Sequence, residues 1–157
     1  MSSNLDSLMY LSVRSFNRMD NYLRETNRSH LSALMIAGIW IEGMYQATQV
    51  VNQNQDPLLS EYIGEQKVIL NDLILILKHY QDIEQFKALI KDFKEIKADF
   101  NKVNISYEIG KPETTVKDGM LIVIQNEKSI VDISDEVLNK IIEIIETKRN
   151  LHLSVQE

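Results

Sequence analysis

Cysteine is absent from the 157 residues, and with it go disulfides, thiolate metal sites and thiol catalysis. Glycine occurs five times and proline twice. That leaves little material for a Gly-x-x-x-x-Gly-Lys phosphate loop or a Gly-x-Ser-x-Gly nucleophile elbow, and neither motif occurs. Of the three histidines, His30, His79 and His152, none has a second histidine three or four residues on, and no Glu-x-x-His is present. Zinc, haem and di-iron sites built on such spacings are therefore not expected, and no cofactor is. Basic residues number 17 against 23 acidic ones, a net charge of -6. Such a field repels phosphate backbones, so nucleic acid is not an expected partner. The longest apolar run, Ala33 to Ile41, is far short of the ~20 residues that cross a bilayer as a helix. No membrane span is expected. The opening MSSNLDSLMY has no basic region followed by an apolar one, as a secretory signal would. The chain reads as cytoplasmic, or as the mature part of a trimmed precursor.

What is present is helical periodicity. Leu5, Met9, Ser12, Phe16, Met19 and Leu23 form one stripe, with serine its only polar member. The polar ETNRSH interrupts it, and Ser29 is a candidate N-cap for a second helix to about Gln53. Asp56 and Pro57 read as the N-cap and first position of a third helix. Its seam is Leu59, Ile63, Gln66, Leu70, Leu73 and Leu77, and that of a fourth helix is Phe86, Ile90, Phe93, Lys97 and Phe100. Four such helices joined by short polar turns predict an antiparallel up-down bundle over residues 1–104.

Beyond Asn104 the period becomes two. Ile105, Tyr107 and Ile109 alternate, and MLIVIQNEKSIVDIS offers two β-rich runs about a turn at Asn126 to Lys128. A β-hairpin appendage over 105–133 is predicted, which needs Ile105 to Ile109 as a third strand or a helix against one face, with GKPETTVKDG as a mobile link. Ser134 caps a last helix, 134–150, whose Val137, Leu138, Ile141, Ile142 and Ile145 need cover, and 151–157 reads as a tail. The whole is one mainly α domain: a four-helix bundle, a small C-terminal hairpin and a fifth helix packed on the bundle.

Helix two is apolar on two sides in its first half, through Trp40, Met44, Ala47 and Val51 on one and Leu31, Met35 and Ile39 on the other. The last helix is the natural second cover. The far side turns polar at Glu42, Gln46, Gln49 and Gln53. Counting equal rise outward from the turns brings Ser12, Glu42, Gln66 and Lys97 to one height. These four are candidate ligand-binding residues, with Lys97 taking an anion and Glu42 a donor. The same four read more simply as a register-fixing Glu42–Lys97 pair with two hydrogen-bond partners, or Glu42 as the start of a solvated stripe. Gly38 and Gly43 read as close-packing positions. No nucleophile is set beside a base, so no enzyme is expected.

GIWIEGMYQATQ, SEYIGEQKVILNDLILIL and a tail ending SDEVLNKIIEIIETKRN resemble uncharacterised helical lipoproteins of Bacteroidetes. The likeness covers most of the chain and rests on Gly38, Trp40, Glu42, Tyr45 and Gln66. It implies an envelope location and a missing lipobox segment, and it brings no known activity. The leading expectation is a non-enzymatic helical-bundle interaction domain for an unknown protein or small-molecule partner, whose surface includes the hairpin and the polar end of helix two. The alternative is a small-ligand sensor or carrier. Tyr10, Leu11 and Tyr22 fall off the main seam of helix one and leave a homodimer open.

Overall fold

The computed structural model describes residues 2–54, 56–110, 112–117, 120–124 and 127–154. Its elements are α1 (Ser2–Glu25), α2 (Ser29–Gln53), α3 (Pro57–Lys78), α4 (Glu84–Phe100), β1 (Asn104–Ile109), β2 (Glu113–Lys117), β3 (Met120–Ile124), β4 (Glu127–Asp132) and α5 (Asp135–Ser154).

Local chemistry sets most of the helix ends. The Asp56 carboxylate accepts from the Leu58 N–H at 2.9 Å, with Pro57 at the first helical position. Ser134 Oγ accepts from the Val137 N–H at 3.4 Å, ahead of the acidic Asp135 and Glu136. Ser29 is no cap: it is already helical, and Arg28 in the cap position makes no side-chain bond. The reversal is fixed from the other side. Asn27 lies in the left-handed region at φ 60°, its N–H bonds Arg24 O at 3.1 Å, and the Arg28 N–H bonds Leu23 O at 2.7 Å. That double bond closes α1 as a Schellman motif, and asparagine tolerates the backbone it needs.

The architecture is an antiparallel four-helix bundle with a β-hairpin and a fifth helix. Its membership differs from the simplest chain order. α2 packs on α3 and α5, and α4 also packs on α3 and α5, so α2 to α5 close the ring and α1 touches α2 from outside. The last helix takes the slot because its stripe of Leu138, Ile141, Ile142 and Ile145 is buried without interruption. It also brings Lys148 and Arg149 to carboxylates on α4 and α2. On α1 the stripe from Leu5 to Met19 stays exposed, with only Leu23 at its base half-buried. α5 runs on to Ser154, so Leu151 to Ser154 are helix, not tail, while 155–157 lie outside the described residues.

Phe86, Phe93 and Phe100, seven residues apart on α4, are at most 1% exposed. The Trp40 ring reaches across from α2 to within 5.6 Å of Phe93 and 6.3 Å of Phe100, centroid to centroid. Ile96 fills the seam where Lys97 was expected, and Lys97 is half-buried at its edge.

The hairpin is longer than its sequence implied. β3 and β4 do not pair with each other. β4 pairs antiparallel with β1, from Asn104↔Asp132 to Ile109↔Glu127, and β3 pairs with β2, from Glu113↔Ile124 to Lys117↔Met120. The inner pair is thus nested in the outer one, and much of the supposed mobile link is strand. Within that link Lys111, Asp118 and Gly119 lie outside the described residues, as does Asn126 of the expected turn. The base of the hairpin seats on α3. Gly64 is the close-packing glycine, for a Cβ there would lie 2.5 Å from Val131 Cγ1 and 3.1 Å from Val103 Cγ1. Lys67 Nζ donates to the carbonyls of Asn101 and Val103 beside it.

Because α5 is core and α1 is not, truncation should separate them in dilute solution. Ile145→Ala should cost about 3 kcal/mol in urea unfolding, the usual order for a buried aliphatic side chain. Leu8→Ala should stay within about 0.5 kcal/mol. The reverse ranking would place α1 in the bundle.

Candidate functional site

The four polar residues predicted to share a layer are not brought together. Ser12 is exposed on α1. Glu42 faces α5, where Arg149 Nε and Nη2 donate to its two oxygens at 2.9 and 3.2 Å, and Gln46 Nε2 donates at 2.9 Å. The Arg149 guanidinium also lies 4.4 Å from the centroid of the Tyr45 ring. Lys97 forms no ion pair with Glu42 among the described residues. Gln66 turns to the opposite side of α2, where its Oε1 accepts from Trp40 Nε1 at 3.3 Å.

Glu42 is therefore the α2 half of an interhelical clamp that opens the solvated stripe of helix two. The Arg149 and Gln46 hydrogen bonds hold its carboxyl below the usual glutamate range, and Arg149 is raised in return. One helical position earlier, Lys148 is buried among Asp92 Oδ1, at 2.7 Å, and Glu95, both on α4. The Asp92 and Glu95 bonds raise its pKa against the opposing effect of burial, so it stays an ammonium. Neither residue was singled out from sequence. The available signal was that Lys148 continues the spacing of Leu138, Ile141 and Ile145 on α5.

Gly38 and Gly43 are not close-packed: a Cβ at either would meet nothing within 4 Å. Gly43 instead borders a groove of about 460 Å³ between α2 and α3. Ile39, Trp40, Met44, Ala47, Val50 and Val51 line it from α2, and Leu59, Tyr62, Ile63 and Gln66 from α3. Because Gln66 already takes the indole N–H, the groove is apolar at its floor and offers few polar groups to orient a small solute. No helix in the described residues is long and apolar enough to cross a membrane. Among those residues no three His, Cys, Asp or Glu side chains converge as metal ligands.

α1 carries the second apolar surface. Leu5, Leu8, Met9, Tyr10, Leu11 and Val13 are 57% to 65% exposed, and Phe16 and Met19, nearer the turn, 38% and 44%. At its base Arg24 pairs with Asp20 at 2.8 Å and holds the Asp20 carboxyl below its usual range. A single exposed leucine is ordinary, but a contiguous set of this size is not.

Comparison with family models, characterised proteins and solved structures gives no match. The surface must speak through its own chemistry.

The Glu42 clamp has a pH signature. The unfolded chain takes up the proton first, so the clamp's contribution is complete above the ordinary glutamate pKa and is lost as pH falls through the lowered one. Glu42→Gln should melt below the parent protein at pH 7, and the difference should close on acidification. A gap of constant size down to pH 3 would contradict the clamp.

Proposed function

We propose that the protein is a non-enzymatic interaction module whose α2/α3 groove receives an amphipathic helix. The observation that carries this reading is the apolar groove left open beside an exposed apolar helix of the same chain. Helix-in-groove recognition uses such a trough, with anchors at helical spacing entering it. The open glycine adds to it. A helical glycine costs roughly 0.5–1 kcal/mol relative to alanine, and among the described residues nothing lies within 4 Å of a Cβ built at Gly43. A groove occupant approaching closely would use that space. This reading puts the binding surface in the groove and not on the polar end of helix two or on the hairpin, although the hairpin also exposes Tyr107 and Ile109. The small-ligand alternative lacks a cluster to stand on, since of Ser12, Glu42, Gln66 and Lys97 only Gln66 lines the groove.

Trp40 is the only tryptophan in the chain and sits on the groove wall, so its emission reports occupancy. A synthetic helix with the sequence of residues 2–25, which contains no tryptophan, should shift Trp40 fluorescence saturably. Gly43→Leu should abolish that shift while leaving the melting temperature equal or higher, because the added side chain meets open space. An unchanged emission across the titration would remove the groove as a helix receptor.

A further inference from the structure

The width of the apolar face on α1 identifies the occupant. At 100° per residue, Leu11, Tyr22, Leu8, Leu5, Met9, Val13 and Tyr10 spread over an arc of about 260°. A helix serving one groove needs an apolar stripe of about 100°. One groove therefore covers less than half of α1, and the rest needs a further apolar surface, which a second α1 of the same face would supply.

Resting on the groove reading above, we propose that the occupant is α1 of a second copy, in a two-fold dimer that exchanges this helix. Each α1 lies in the partner's α2/α3 groove with one side of its arc and meets the other α1 along the second. Three observations favour exchange over closure onto the same chain. The turn at Thr26 to Arg28 has no slack, being bonded at Asn27 and Arg28. Along α2 the seam of α1 is more exposed at Leu5 and Met9 than at Phe16 and Met19, and among the described residues nothing lies within 4 Å of a Cβ built at Gly38 or Gly43. The helix is charge-balanced, with Arg14, Arg18 and Arg24 against Asp6, Asp20 and Glu25. Two copies of a chain with net charge -6 can therefore meet there without like-charge cost at the contact, whereas an anionic membrane would find no basic excess to attract.

The area is sufficient. Each α1 exposes on the order of 1,000 Å² of apolar residues, so two of them alone match the roughly 1,200–2,000 Å² buried in stable complexes. Exchange of one helix between two copies adds this burial without a new fold.

A cysteine-free chain makes the test clean. Met9→Cys and Val50→Cys place single thiols on exposed positions of α1 and the groove rim. The two variants are mixed dilute, concentrated, and treated with a flexible bismaleimide. The proposal expects a product joining the two variants at twice the 18.2 kDa chain mass, a dimer by native mass spectrometry, and loss of both in Gly43→Leu. A monomer whose double variant cross-links only within itself would overturn the second copy and leave the groove as a helix receptor. A monomer with no cross-link and no Trp40 response to the α1 peptide would overturn both. A monomer that instead co-sediments with phosphatidylcholine vesicles would assign α1 to a lipid surface and overturn the exchange.

Discussion

Closure of the bundle by α5 is the constraint on which the rest of the structure depends. The slot between α2 and α4 admits one helix, and the chain carries two amphipathic candidates for it. α5 fills the slot with four buried aliphatic side chains, each contributing roughly 1.5–3 kcal/mol by leaving water. It then fixes its register through Lys148 on Asp92 and Glu95 and Arg149 on Glu42. Paired charges at the boundary of a core specify alignment more than they add stability. With the slot taken, α1 has no place in the ring, and its apolar surface becomes available for association.

The same closure explains the hairpin. Because α5 must return antiparallel to α4, the chain between Phe100 and Asp135 has to leave the bundle and come back at the same end. β1 and β4 do this side by side, and Val103 and Val131 seat their base against Gly64 of α3. A side chain on that glycine would push the two valines off the helix, so α3 is shaped by the hairpin as much as by its bundle neighbours.

Much of this was legible in the residues. Asp56-Pro57, Ser134 and the seams of α3, α4 and α5 gave the helices, and the bundle class followed from their number and length. Period alone could not say which amphipathic helices share one core, since α1 and α5 satisfy the same pattern and differ in the company they find in space. Strand partners were hidden for a similar reason: two β-rich runs separated by a polar turn look like a hairpin whether they pair with each other or with earlier strands. The polar layer failed on α1 as well. Counting rise across turns placed Ser12 beside Glu42 only if helix one lay in the bundle, and an error in membership undid a height argument that spacing made plausible. Lys148 was readable as a seam residue within the expected 134–150 helix, but the carboxylates that it and Arg149 meet lie on α4 and α2, which spacing along α5 does not reveal.

Hydrogen exchange followed by mass spectrometry over a protein concentration series tests the central claim most directly. If α2 to α5 form the core and α1 is completed from outside the chain, amides of residues 5–18 exchange far faster than those of α3 and α5 in dilute protein. They should gain protection as concentration rises, while the core stays unchanged. Equal protection of α1 and α3 at the lowest concentration, with no dependence on dilution, would contradict the account and return α1 to the bundle.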